Sequence, residues 1–184
     1  MIILMGVAGA GKSMQGRLLA DEHGFAWIST GEILRVLITG KRRQEMLEGK
    51  LLSDEEMIRV LDTVLQVIDT KQEFVLDGFP RTVVQTDWLV KNVEDGRFKL
   101  TAVVNINASK DIVKDRLKQR GRLDDNDEAI NKRFEEYEAV TIPIVNHFRS
   151  LDVHVYDIDG DQDPESVHKD ITRIIDESNL AEAK

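Results

Sequence analysis

Short runs of apolar and β-branched residues alternate along this chain with longer stretches whose apolar positions recur every three or four residues. The runs are MIILM (1–5), FAWI (25–28), FVLD (74–77), LTAVVNIN (100–107) and VHVYDI (153–158). Near-continuous apolar strands separated by helical segments predict a parallel sheet buried on both faces by its crossover helices. About 45 residues separate the second run from the third, more than one crossover helix needs, and STGEILRVLITGKRRQEMLEGKLLSDEEMIRVL reads helical throughout. This predicts a small helical insert ending in a helix from Asp54 to about Thr70. Ser53 with Glu56 three residues on forms a capping box at its start. Ser109 is placed to cap a helix ending near Gly121, and Asp125 with Glu128 repeats the box spacing for the next. Pro143 should kink or restart that helix. Ile-Thr-Arg-Ile-Ile at 171–175 reads as a core-facing final helix, and the acidic tail from Glu177 is expected to fray. No internal repeat or low-complexity tract is present.

Composition narrows the class. The chain has 184 residues, 41% hydrophobic and 32% charged, which suits one domain with a packed core. A net charge of -9 opposes nucleic-acid binding, which calls for a basic balance. With no cysteine, disulfides and thiolate metal sites are excluded. No apolar stretch is long enough to span a bilayer, and MIILM is too short for a signal peptide. A cytoplasmic protein with no membrane partner is expected.

Candidate chemistry begins at GVAGAGKSMQ (6–15), where Gly6, Gly11, Lys12 and Ser13 fit G-x-x-x-x-G-K-[ST] between a predicted strand and a predicted helix. In such a loop the amides of residues 9 to 13 surround anionic oxygens, and the helix adds the positive end of its dipole. Lys12 supplies a cation for β and γ phosphates, and Ser13 a hydroxyl for a metal. FVLD ends in Asp77, the usual place for a carboxylate near magnesium or its waters. Arg116, Arg120, Arg122 and Arg133 fall within eighteen residues of an otherwise acidic chain. Alone, that run is a solvated basic face; beside a phosphate loop it suits bidentate phosphate binding.

Five pieces then occur in one order: the loop, ISTGEILR (28–35), GKLLSDE (49–55), DGFPRTVVQ (77–85) and RLKQRGRLDDN followed by KR (116–133). In these the chain resembles the adenylate kinases and their nucleoside-monophosphate kinase relatives over nearly its whole length. The resemblance implies a three-layer α/β fold of the P-loop NTPase type, with a five-stranded parallel sheet. It implies a core (1–29, 71–115, 134–184), a helical monophosphate-binding insert (30–70) and a short lid (116–133). The activity implied is Mg·ATP + AMP ⇌ 2 ADP, with ATP, AMP and ADP as partners, Mg2+ as cofactor and a monomeric enzyme.

Residue by residue, the family's pattern assigns ATP to Gly9, Ala10, Gly11, Lys12, Ser13 and Met14. Arg116 would cover its adenine, with backbone around Gly160 to Gln162, and Arg120 would reach its terminal phosphates. Arg35, Arg81, Arg122 and Arg133 would grip the acceptor phosphate and the phosphoryl in flight. Lys12, Arg81, Arg120, Arg122 and Arg133 form the implied catalytic set, with Ser13 and, through water, Asp77 toward the metal. The acceptor would be lined by Thr30, Gly31, Lys50, Leu51, Leu52, Gly78, Phe79, Pro80 and Gln85. Thr30 and Gln85 match the adenylate rather than the pyrimidine branch, although Thr30 also suits a helix N-cap. Gln85 offers a donor and an acceptor to an adenine edge.

The chain departs from the family at G-K-S-M-Q, where adenylate kinases usually read G-K-G-T-Q. Met14 lacks the threonine hydroxyl; Ser13 is expected to take over its role, with Met14 packing or giving up one contact. The segment between Arg35 and Gly49 is short, and almost nothing separates Arg122 from Asp124, which excludes a metal-binding lid. The alternatives left are a UMP/CMP kinase and a nucleotide-binding sensor with weak turnover. His23, His147, His154 and His168 share no spacing, and Trp27 and Trp88 read as core.

Overall fold

In a computed structural model of the chain, which describes residues 1–40, 52–121 and 127–182, five parallel strands form one sheet in the order β2-β3-β1-β4-β5. In chain order the elements are β1 (Ile2–Met5), α1 (Lys12–His23), β2 (Ala26–Ser29), α2 (Thr30–Leu37), α3 (Asp54–Leu65), β3 (Phe74–Asp77) and α4 (Val83–Glu94). They continue with β4 (Ala102–Asn107), α5 (Lys110–Arg120), α6 (Asp127–Glu136), a π-helical turn (Tyr137–Thr141), α7 (Ile142–Ser150), β5 (Val155–Asp159) and α8 (Pro164–Glu182).

Alternation along each strand divides the core in two. Ile3, Met5, Phe74, Leu76 and Val103 pack with Met57, Leu61, Leu89, Ile144 and Phe148 from α3, α4 and α7. Ile2, Leu4, Val75, Val104 and Ile106 pack with Leu19, Val113, Leu117, Ile171 and Ile175 from α1, α5 and α8. Both faces are therefore covered, as an all-parallel sheet requires. Trp88 packs on the first cluster, edge-on to Phe79 at 5.9 Å. Trp27 packs on the second, with the Arg17 guanidinium 4.7 Å above its ring.

The predicted elements are present with shifted ends. The capping box at Ser53 and Glu56 forms in both directions. The helix it opens stops at Leu65, short of Thr70: Val67 N–H turns to Val64 O at 3.1 Å, an i→i-3 bond that tightens the last turn, and beyond it Asp69 O accepts from Gln72 N at 3.1 Å in a separate turn. The strand predicted from 153 starts at Val155, since Val153 N–H turns back to Phe148 O at 3.1 Å. Pro143 does restart the helix. Lacking an N–H for Ala139, it interrupts the ladder, and Ile142 N–H reaches Tyr137 O instead, the i→i-5 spacing of the π turn. The C-terminal helix continues through Glu182 instead of fraying from Glu177. Its later turns are held by buried Ile174 and Ile175 and by Ser178, whose Oγ lies 3.3 Å from Tyr156 Oη. Asp125, with the second predicted box, lies outside the described residues. No helix among the described residues is long and apolar enough to cross a membrane.

Register brings the site elements level. Asp77, the last residue of β3, pairs with Leu4 on one side and Ser29 on the other. The chain leaving β1 therefore enters its glycine loop beside a carboxylate, at the carboxyl edge where open α/β sheets place ligands.

Candidate active site

The loop from Gly6 to Gly11 needs glycine for two separate reasons. A Cβ on Gly6, at φ 135°, would collide with the Ile106 carbonyl. At Gly9, φ 96°, it would lie 2.9 Å from both Leu117 Cγ and Val113 Cγ1. Backbone thus passes directly over β4 and α5 before Lys12 opens α1. The Lys12 ammonium donates to Gly6 O at 2.8 Å and Val7 O at 2.9 Å. Burial pushes it down to about 8; Asp77 opposes the shift, and Arg81 and Arg120 add to it. Ser13 Oγ donates to Asp77 Oδ2 at 2.6 Å, joining α1 to the end of β3. Met14 is 52% exposed and lies on the cavity wall instead of packing.

These groups open onto a cleft of about 1030 Å³, at the upper end of ligand cavities. Of the residues singled out from sequence, Gly9 to Met14, Gly31, Arg35, Asp77, Gly78, Arg81, Arg116, Arg120 and Arg133 line it. Arg116 reaches across the loop. It donates to Gly160 O at 2.7 Å, Gln162 O at 2.9 Å and Ala10 O at 3.4 Å, tying the phosphate loop to the segment after β5. Arg81 Nε donates to Gly78 O at 2.9 Å, beside the cis peptide between Phe79 and Pro80. Arg35 is held by Glu32 at 2.6 Å.

Other predicted residues lie around the cleft rather than on its wall. Phe79 is buried in the first core cluster. Pro80 is buried beside it. Gln162 takes part through its carbonyl, while its side chain donates to Asp159 O and Asp170. Leu52 joins Leu34, Ile38 and Val60 around a separate apolar groove between α2 and α3. Thr30 is the first residue of α2, Ser29 being the cap, and its hydroxyl donates to Gly78 O at 2.9 Å. Gln85 is buried: its Oε1 accepts from Arg81 N and its Nε2 donates to Asp54 Oδ1, both at 2.8 Å. Lys50, Leu51 and Arg122 lie outside the described residues.

Three charged cleft residues are not among the sequence candidates: Arg17, Glu32 and Glu136. Spacing carried a signal for two of them. Glu32 stands three residues before Arg35 and Glu136 three after Arg133, each one turn from a cleft arginine. The resulting wall is an amide cradle faced by a lysine and several guanidiniums, with a serine–aspartate pair at one corner. Such a wall accommodates polyanions, and its fixed donors would stabilise charge developing between two of them.

Comparison with known proteins agrees with this geometry. The family model described as adenylate kinase matches residues 4–153. A protein named adenylate kinase from Corynebacterium urealyticum is 35% identical, over 90% of this chain and 93% of its own. One of the same name from Nitrobacter hamburgensis is 33% identical, over 96% and 92% respectively. Another, from Archaeoglobus fulgidus, is 29% identical over 95% and 97%. With the phosphate loop, the arginine cleft and near-full-length similarity in agreement, the chain belongs to the adenylate kinase family.

Proposed function

We propose that the protein catalyses Mg·ATP + AMP ⇌ 2 ADP, with both nucleotides in the one cleft. The observation that carries this reading is the facing of the phosphate loop by Arg35, Arg81, Arg120 and Arg133 across a single cavity. The glycine-loop amides and Lys12 hold the β and γ phosphates of ATP, and Arg116 supports its adenine. Arg35 and Arg81 hold the acceptor phosphate, and Arg120 and Arg133 stand over the group in transfer. Arg122, within the short lid assigned to 116–133, completes the set; residues 30–70 form the acceptor-binding insert.

The Ser13–Asp77 pair suits a hard cation. It offers only oxygen, and because the hydroxyl hydrogen is directed at Asp77 Oδ2, the Ser13 oxygen keeps its lone pairs for a ligand. Ser13 directly, and Asp77 through water, would hold Mg2+, which when bound neutralises charge on the β and γ oxygens. An oxygen of the AMP phosphate attacks the γ phosphorus in line, and the bond to the β-phosphate oxygen breaks, leaving its electron pair on ADP. The attacking oxygen already carries negative charge at neutral pH, so no side chain need take a proton. The arginines position both oxygens and stabilise the charge between them, and enclosure by the cleft excludes water.

The protein is read as a cytoplasmic monomer whose partners are small nucleotides; its charge of -9 disfavours nucleic acid and anionic membrane surfaces. The test is ADP formation from Mg·ATP with AMP, CMP, UMP and GMP in parallel. Turnover with AMP far above the others is expected. A preference for CMP or UMP would reassign the acceptor, and ATP binding without turnover would favour a sensor.

A further inference from the structure

Gln85 and Asp54 are 31 residues apart in the chain, on the first turns of α4 and α3. The Gln85 amide spans two partners of opposite character. Its Oε1 accepts from the Arg81 backbone N–H, and its Nε2 donates to Asp54 Oδ1, each at 2.8 Å. Asp54 Oδ1 also accepts from the Thr82 hydroxyl at 2.8 Å, and that hydroxyl oxygen in turn caps Gln85 N at 3.2 Å. A peptide N–H can only donate and an ionised carboxylate can only accept. The amide can therefore stand in one orientation; turned over, it would face oxygen to carboxylate and N–H to N–H.

We propose that Asp54 is a positioning residue for acceptor selectivity, locking the Gln85 amide in the sense that reads an adenine edge. The proposal rests on AMP as the acceptor with Gln85 toward its base. One Gln85 N–H and one lone pair of Oε1 remain after these bonds. With the amide held, that donor and acceptor complement a ring-nitrogen acceptor beside an amino donor, the pattern of adenine. A 6-oxo purine presents the reverse, a carbonyl acceptor beside a ring N–H, and an amide free to turn over would read it equally well. Gln85 lies behind the turn that carries Gly78 and Arg81 into the cleft, and Thr30 ties α2 to Gly78 of the same turn. Both described helices of the acceptor insert are thereby bonded to one turn.

Inosine monophosphate is the probe, because it carries the 6-oxo edge without the 2-amino group of guanine. Turnover with AMP and IMP is measured for the wild type, Asp54→Ala and Asp54→Asn, alongside KM for ATP and the unfolding midpoint. The wild type should prefer AMP at least 100-fold in kcat/KM. Asp54→Ala should reduce that preference at least tenfold, mainly through KM for the monophosphate, with KM for ATP unchanged. Asp54→Asn keeps an accepting oxygen and should hold the preference within about threefold. A wild type that uses IMP within tenfold of AMP overturns the proposal without any variant. Loss of AMP and IMP turnover by one common factor in Asp54→Ala also overturns it, leaving Asp54 an ordinary brace. Absence of AMP turnover in the wild type would instead refute the acceptor reading beneath it.

Discussion

Replacing Gly9 by alanine tests how the phosphate loop is seated. Two costs are legible. At φ 96° an L-residue leaves its comfortable backbone region, which costs about 1–2 kcal/mol. The new methyl also lies 2.9 Å from Leu117 Cγ and Val113 Cγ1, both on fully buried side chains that cannot swing away. Overpacking of this kind costs about 1–3 kcal/mol. The sum is about 2–5 kcal/mol, or roughly 4–20 °C in midpoint for a chain of this size. Urea unfolding followed by tryptophan fluorescence would measure it in Gly9→Ala, Leu117→Ala and the double variant. Shortening Leu117 removes its share of the clash but leaves the contact with Val113 Cγ1 and the backbone strain. The double variant should therefore be more stable than additivity predicts, by about 1 kcal/mol or more. A Gly9→Ala protein within about 0.5 kcal/mol of wild type, or strict additivity, would refute this account of the loop. Because the clash is relieved by lifting the loop off α5, KM for ATP should rise in Gly9→Ala and recover partly in the double variant.

Other outcomes follow from single contacts. Ser13→Ala removes the hydroxyl 2.6 Å from Asp77; kcat/KM for Mg·ATP should fall about 10- to 100-fold, the worth of one charge-assisted contact, and unchanged magnesium-dependent turnover would remove Ser13 from the metal site. Lys12, at about 8 in the free protein, binds polyphosphate as the cation. Binding should therefore take up about half a proton at pH 8, and affinity for Mg·ATP should fall about tenfold from pH 7 to pH 9; calorimetric heats independent of buffer ionisation would contradict this. In stability the sign is opposite to that of a favourably paired lysine. The folded value lies below the ordinary 10.5, so burial of the cation destabilises the free protein most below about pH 8, and that penalty is relieved as pH rises toward 10.5. Tyr137→Phe deletes the hydroxyl that donates to Asn107 Oδ1 at 3.0 Å; differential scanning calorimetry should show about 1 kcal/mol lost, and no shift would mean that water replaces the bond.

What the chain discloses in advance depends on how far apart the partners lie. The ends of β3 are legible in the sequence because the apolar run Phe74–Leu76 stands between Glu73 and Asp77. The phosphate loop was equally plain, since all its groups lie within eight consecutive residues. The capping box at Ser53 spans four and formed as read. Contacts between distant segments had no such signature. Ser13 meets Asp77 across 64 residues, and Gln85 meets Asp54 across 31. Ser13, Asp77 and Gln85 are candidates from the sequence and Asp54 only the start of a helix, and the parallel register and the turn after β3 bring the pairs together. Thr30 illustrates the same limit at short range. Its type suited a cap, yet Ser29 occupies that position and the Thr30 hydroxyl is taken by Gly78 O.

The arginines of α5 show most sharply how tertiary contacts separate residues that sequence spacing makes equivalent. Arg116 and Arg120 stand four apart, so helical spacing puts them on one face, and both do line the cleft. Spacing says nothing of what each guanidinium meets there. The segment after β5 turns the carbonyls of Gly160 and Gln162 toward α5, and those oxygens take Arg116 as a clamp between two loops. Arg120, one turn later, lies near enough to Lys12 to depress its affinity for a proton. Two identical residues on one helical face thus divide into a loop clamp and a contributor to the field over the phosphate site. The division is made by backbone some forty residues further along the chain, which is why the arginine run is legible in the sequence but its members are told apart only in the fold.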